Sequence, residues 1–201
     1  MTLRIYGDSK SGNCLKVKWT AALLRMPSEW IEIDILKGES RTPEFLAMNA
    51  AGQVPVVLLP DGRPLAQSNA ILLHLAEGSA LIPADAYARA KMLEWLFWEQ
   101  YSHEPTIAVA RFRVRYLGQS IASLDPKLVE RGHAALKRLD EALAGGGYLV
   151  PGALSLADIA LIAYTRVAGE GGFDLAQYPQ VQTWVQRIER DLGIGAATLT
   201  S

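Results

Sequence analysis

Ser11, Asn13 and Cys14 stand together in the stretch Tyr6-Gly7-Asp8-Ser9-Lys10-Ser11-Gly12-Asn13-Cys14-Leu15-Lys16. Small polar residues at a strand-to-helix turn leave backbone N–H groups unused at the helix start. Those donors and the helix dipole together favour an anion placed there. A serine hydroxyl can add a donor to such an anion, a thiolate for example, and Ser11 is the candidate. Cys14 offers a second chemistry, because a cysteine near a helix N-terminus can have a lowered pKa. It is the single cysteine of the chain, so dithiol exchange within one chain is excluded. Ser, Gly and Asn also serve any plain helix cap, and the stretch alone does not separate the two uses.

Two later stretches carry chemistry of a related kind. In Gly52-Gln53-Val54-Pro55 a proline opens a strand, where its missing N–H does least harm. If the Val54–Pro55 bond is cis, the Val54 N–H and C=O turn outward and can pair with a bound peptide as an added strand. In Gln67-Ser68 the serine caps a helix. The same arrangement suits a carboxylate, with Gln67 placed to hold an ammonium or amide beside it. Ser155-Leu156-Ala157-Asp158 is a capping box, a structural device. His103 and Glu104 lie beside Pro105 with no partner in sight, and Trp95, Trp98 and Tyr101 suit a pocket, a core or a subunit interface.

The elements that must hold these residues alternate in the first part of the chain. Residues 3–6 read as a strand, 13–24 as a helix and 30–35 as a second strand with period-two alternation. Thr42-Pro43 opens a short helix. Residues 54–59 and 63–66 flank the Asp61-Gly62 turn and form an antiparallel hairpin. A helix over residues 69–77 follows, capped by Ser68. This βαβ-ββα order is the thioredoxin-like arrangement, in which the proline at the position of Pro55 is cis. Beyond Gly78 and Pro83 the pattern turns helical throughout: residues 87–117 with Pro105 kinking or dividing them, 125–143 opened by Asp125-Pro126, a helix from Ser155, and a last one from Pro179. Residues 193–201 read as a loosely ordered tail. The division expected is 1–78 for an α/β thioredoxin-like domain, 79–86 for a linker and 87–201 for an all-α helical bundle.

Bulk properties narrow the partners. The 201 residues are half hydrophobic with a net charge of -1, so no basic field argues for nucleic acid. The basic spot Arg111, Arg113 and Arg115 reads as a solvated helix face or a small-anion site before it reads as a DNA contact. One cysteine builds no disulfide and no multi-cysteine metal site, which fits a reducing, cytoplasmic setting. No basic region followed by an apolar run opens the sequence, and no uncharged segment has the length to cross a bilayer.

Taken in order, these motifs resemble the glutathione S-transferase family over essentially the whole chain. The residues that carry the likeness are Ser11-Gly12-Asn13-Cys14-Leu15-Lys16-Val17, Gly38-Glu39-Ser40-Arg41-Thr42-Pro43-Glu44-Phe45-Leu46 and Asn49-Ala50-Ala51-Gly52-Gln53-Val54-Pro55. They are similar to those of bacterial soluble members with a serine active site. The resemblance implies a catalytic hydroxyl on Ser11, with Ser9 the neighbour most easily mistaken for it and Asn13 and Cys14 close by. It implies glutathione as co-substrate, bound by Val54 through a cis Pro55, by Gln67 and Ser68 at the γ-glutamyl end, and by Gln53, with Arg41 or Lys37, at the glycyl end. Gln67 stands where the family usually has an acid, and Ala50 where it has proline. An apolar electrophile would come from the helical side, near Trp98, Tyr101, Phe112 or Tyr116. A homodimer with a role in detoxification and no metal is the expectation. Alternatives are glutathione-dependent peroxide or disulfide reduction on the same site, and a protein-binding module of the same fold without catalysis.

Overall fold

A computed structural model describes residues 2–195, and residues 196–201 of the expected tail lie outside the described residues. The chain divides into two compact units, Met1–Ile82 and Pro83–Ser201.

The first unit is built on a four-stranded sheet in the order β2-β1-β3-β4. Strands β1 (Leu3–Gly7) and β2 (Ser28–Glu32) run parallel, which requires a crossover, and helix α1 (Gly12–Leu23) supplies it. Strands β3 (Val56–Leu58) and β4 (Pro64–Ala66) form the hairpin, and β3 lies antiparallel to β1. Helices α2 (Pro43–Met48) and α3 (Ser68–Leu75) complete the βαβ-ββα order. Side chains alternate across a strand, so Tyr6 and Val56 share one face and Ile5 and Val57 the other. On the Tyr6 face, Val56 packs with Phe45 and Met48 of α2 and with Ile33. Helices α1 and α3 pack on each other, with Cys14, Val17 and Ala21 of α1 and Ile71, Leu72 and Leu75 of α3 all buried.

Three boundaries differ from the sequence pattern. Strand β2 covers residues 28–32, earlier than the alternation at 30–35 suggests. Its register is set by β1, where Leu3 faces Ser28 and Gly7 faces Glu32. After Ile33 the Asp34 carboxylate accepts the N–H groups of Leu36 and Lys37 at 3.0 and 3.2 Å and turns the chain out of the sheet. Helix α1 ends where Arg25 takes a left-handed φ of 52°, with the Met26 N–H returning to the Ala21 carbonyl at 2.9 Å. Strand β3 begins only at Val56, after the cis Val54–Pro55 bond.

The second unit is helical: α4 (Ala86–Trp98), α5 (Val109–Arg115), α6 (Pro126–Ala142), α7 (Leu156–Thr165) and α8 (Pro179–Asp191). Between α4 and α5, residues Glu99–Ala108 wind as a π-helix with Pro105 inside it. Proline has no N–H to give and its ring crowds the preceding turn of an α-helix. The wider winding is how the chain passes Pro105 without ending. Thr106 assists, its hydroxyl donating to the Ser102 and His103 carbonyls at 3.0 and 2.9 Å. His103 is fully buried, with Nε2 2.9 Å from the Thr165 hydroxyl, so it belongs to the core of the unit.

Helix α7 is the centre of this unit, and all ten of its residues are buried. The expected capping box is present at its start. Asp158 does more than cap. Its carboxylate accepts the Ser155 N–H and hydroxyl, the Leu149 N–H and the Trp184 indole N–H, each at 3.0 Å. Burial pushes the Asp158 carboxyl up, against the pull of those donors. One side chain therefore ties α7 to the 149 segment and to α8. Among the described residues no helix is long and apolar enough to cross a membrane.

Asp158→Ala leaves an indole, a hydroxyl and two backbone N–H groups without their acceptor. It should destabilise the protein by ~3 kcal/mol or more in denaturant titration. A change below ~1 kcal/mol would show that water replaces the carboxylate.

Candidate active site

The rung of the sheet formed by Tyr6, Val56 and Ala66 brings the three motifs to one edge. Strand β1 leaves that rung into the Asp8–Ser11 turn, β3 enters it from Val54-Pro55, and β4 leaves it into Gln67-Ser68. Antiparallel pairing of β3 with both neighbours makes this unavoidable once the register is set.

The first wall is the turn. Asp8 is buried and shapes it: its carboxylate accepts the Lys10 N–H at 2.8 Å and its carbonyl the Ser11 N–H at 3.0 Å. The sequence reading passed over this acid. Gly7 sits where any side chain would meet the Trp30 ring at 2.7 Å and Cys14 Cβ at 2.9 Å, so the turn lies tight on α1 and β2.

The three candidates in the turn are separated by their partners. Ser9 is exposed and engaged, its N–H donating to Glu32 Oε1 at 2.8 Å while the Trp30 indole holds Oε2 at 2.6 Å. Burial acts to raise the Glu32 carboxyl, but the Ser9 N–H, the Trp30 indole, the Ser9 hydroxyl and the Lys18 charge outweigh it and leave it lowered. Ser11 is half-buried at the N-cap of α1 with extended backbone, and its hydroxyl caps nothing. Cys14 is fully buried. Burial pushes its thiol up to about 12, overriding the hydrogen bond from the Ser11 hydroxyl that favours the thiolate. Cys14 is a packing residue.

The second wall is the cis Val54–Pro55 bond, with Val54 half-buried and Pro55 buried. The loop before it is braced from two sides. Asn49 donates Nδ2–H to the Gln53 carbonyl at 2.8 Å and accepts the Ala51 N–H at 3.2 Å. Arg41 donates from Nη1 to the Ala51 carbonyl at 3.0 Å. Its guanidinium lies where a side chain on Gly52 would go, and Gly52 has a φ of 60°. Arg41 thus props the loop that carries Gln53 and Val54, while the Gln53 side chain is exposed. Lys37 is exposed and paired with Asp34 at 3.1 Å.

The third wall corrects the expected cap. Helix α3 begins at Ser68, and Gln67 takes the N-cap position with a φ of 70°. A left-handed turn at residue 67 swings the chain from β4 into the helix, with the Gln67 carbonyl accepting the Ile71 N–H at 2.9 Å. Ser68 is buried at the first helical position, and its hydroxyl reaches across to Asn13 Oδ1 at 3.0 Å. That bond joins the first wall to the third across 55 residues.

Trp98, Tyr101, Phe112 and Tyr116 are the residues expected to form an electrophile pocket. Phe112 and Tyr116 stack with ring centroids 5.0 Å apart. Trp98 packs edge-on against Trp95 and under the Arg138 guanidinium, lining a cleft of about 270 Å³ with Arg131 and Arg138 in which the other three take no part. Tyr101 is 83% exposed. Among the described residues no group of three or more His, Cys, Asp or Glu is placed to hold a metal ion.

Comparison with known proteins bears on the family and the fold. Residues 11–77 match the glutathione S-transferase N-terminal domain, and residues 96–191 the C-terminal domain. The chain is similar to a glutathione S-transferase from Pseudomonas fluorescens, with a TM-score of 0.90 and 48% identity over 94% of this chain and 95% of that one. Yeast Ure2p, solved in complex with glutathione, has a TM-score of 0.85 at 25% identity over 94% of this chain and 90% of its own. The Escherichia coli disulfide-bond oxidoreductase YfcG is 29% identical over 180 residues, which is 84% of this chain and 82% of YfcG.

The Cys14 thiol gives a pH prediction with a definite sign. A folded pKa near 12 lies above that of an unfolded cysteine, so its contribution is intact below about pH 9 and is lost as pH rises towards 12. The loss is about 1.4 kcal/mol per pH unit across that window. Cys14→Ala should flatten this part of the stability profile, and native Cys14 should resist alkylation at pH 8 until denaturant is added. Rapid alkylation of the native protein would contradict the assignment.

Proposed function

Because the chain belongs to the glutathione S-transferase family, we propose that it binds glutathione along the three walls of its first unit and uses the thiolate to attack an electrophilic small molecule. The observation that carries this reading is the convergence of Ser11, cis Val54–Pro55 and Gln67-Ser68 at one sheet edge, made by the Tyr6–Val56–Ala66 rung. Val54 pairs through its backbone with the cysteinyl residue of the tripeptide. The start of α3 takes the γ-glutamyl carboxylate, through the Ser68 N–H and hydroxyl and the helix dipole, with Gln67 beside it. Gln53 meets the glycyl end, and Arg41 holds its loop in place.

The chemistry asked of the protein is small and electrostatic. A thiol has a pKa well above neutral and its thiolate is the nucleophile. Ser11 is catalytic in this scheme: its hydroxyl donates to the sulfur at the N-terminus of α1, and both favour the charged form. The thiol proton passes to solvent. The sulfur lone pair then forms the carbon–sulfur bond, and the leaving group departs with the electrons of the bond that breaks. The second substrate of this scheme is an apolar electrophile. A cytoplasmic homodimer completes the proposal, with the exposed Phe97 and Tyr101 on the face offered to a second copy.

A second reading is thiol–disulfide exchange with glutathione on the same site, favoured by the similarity to YfcG. Both reactions need the same thiolate, and they part at the second substrate.

Ser11→Ala should lower kcat/KM for conjugation roughly 10²-fold with folding intact, the scale of one lost donor to a developing anion. Ser9→Ala and Cys14→Ala should change it by less than about threefold. A larger effect from either would move the catalytic role away from Ser11. Failure of the purified protein to bind glutathione at millimolar concentration would favour a protein-binding module instead.

A further inference from the structure

Lys16 has no exposed surface, although lysine is among the residues least often buried. Taking its nitrogen out of water is costly unless polar partners replace the water. One partner is Asn13, a turn earlier on the same face of α1, whose Oδ1 accepts from Nζ at 2.8 Å. The same oxygen accepts the Ser68 hydroxyl at 3.0 Å. An amide oxygen has two lone pairs, and here both are taken. Turning the amide over would set its NH2 against the Lys16 nitrogen, donor against donor, so the orientation is determined by Lys16.

The consequence falls on Ser68. A hydroxyl has one proton to donate. In the structure that proton goes to Asn13, while the proposed ligand needs it for a carboxylate. We infer that Lys16 is a positioning residue of the glutathione site: by holding the Asn13 side-chain oxygen, it releases the Ser68 hydroxyl to the γ-glutamyl carboxylate. This rests on the glutathione reading above. When the carboxylate arrives, Ser68 turns its proton to the charged and stronger acceptor. Asn13 Oδ1 keeps the Lys16 bond and is not stripped of its donors inside a half-buried site. Without Lys16, the oxygen has lost one donor already and competes with the ligand for Ser68. The buried lysine therefore acts on binding without touching the ligand.

The test is a double-mutant cycle on glutathione binding, measured by calorimetry with Lys16→Met, Ser68→Ala and the double variant. Methionine keeps the length and apolar stem of lysine and removes its donors. Lys16→Met should raise the Kd for glutathione about fivefold to tenfold, the scale of one lost hydrogen bond. In the Ser68→Ala background it should add less than about twofold, because no hydroxyl is left to release. An equal effect in both backgrounds, or no effect on the native background, overturns the proposal.

A second measurement stands without the variant and without catalysis. A crystal structure at saturating glutathione should show Ser68 Oγ on the γ-glutamyl carboxylate with Lys16 Nζ still on Asn13 Oδ1. A Ser68 hydroxyl still on Asn13, or a Lys16 nitrogen drawn off it, overturns the proposal even if Lys16→Met fails to fold. If the native protein binds no glutathione, the functional reading fails on that result. If glutathione binds but Lys16→Met has the same effect with and without the Ser68 hydroxyl, the positioning role alone fails.

Discussion

One rung of the sheet, with Tyr6 opposite Val56 and Val56 opposite Ala66, is the constraint on which the site depends. Each strand in it borders a segment that carries chemistry: the turn after β1, the cis bond before β3 and the turn after β4. A slip of one residue in either pairing would invert the strand and move its segment to the other face. The register is held by burial. Val56 and Val57 are both fully buried, one against α2 and the other on the opposite face, so neither can be exchanged for the other at little cost. Site geometry here is a by-product of core packing.

Within that frame, partners rather than residue types tell the side chains of the turn apart. Two serines and a cysteine lie within six residues of the turn. Ser9 is held to Glu32, whose other oxygen is fixed by Trp30, and the Lys18 nitrogen lies 5.0 Å over the Trp30 ring. Cys14 is in the core, where low polarity disfavours its thiolate more than the Ser11 hydroxyl can favour it. Ser11 stands at the helix start with extended backbone, its hydroxyl capping nothing but hydrogen-bonded to Cys14. The α1–α3 contact has its own polar link in Lys16, Asn13 and Ser68, so the two helices that flank the site share an acceptor. Asn49 and Arg41 do the same work for the loop before Val54.

The second unit shows how one buried acid organises a helical core. Helix α7 has no exposed face, so its ends cannot rely on water for their unpaired groups. Asp158 meets that need and at the same time fixes Trp184 of α8. The π-helical segment solves the neighbouring problem, a proline in a helix the core still requires. Sequence spacing alone marks Pro105 as a break, whereas packing of His103 and Ile107 in the interior keeps the segment wound.

Local signals in the sequence determined a good deal: the element order βαβ-ββα, the helical second part, the proline starts of α2, α6 and α8, and the capping box of α7. Those features depend on residues close in the chain, where spacing and turn chemistry suffice. Only the tertiary structure decided the rest. It moved β2 to residues 28–32 because pairing with β1 overrides the alternation at 30–35. It gave the cap of α3 to Gln67, and it placed Trp98 in a cleft with Arg131 and Arg138. It also showed what Asp8, Asn49 and Lys16 hold, each of an ordinary surface residue type and each engaged by a hydrogen bond that its type does not announce. Spacing in the chain records the period of a helix or strand. It does not record which oxygen a buried lysine meets, because that is decided by distances between elements far apart in sequence.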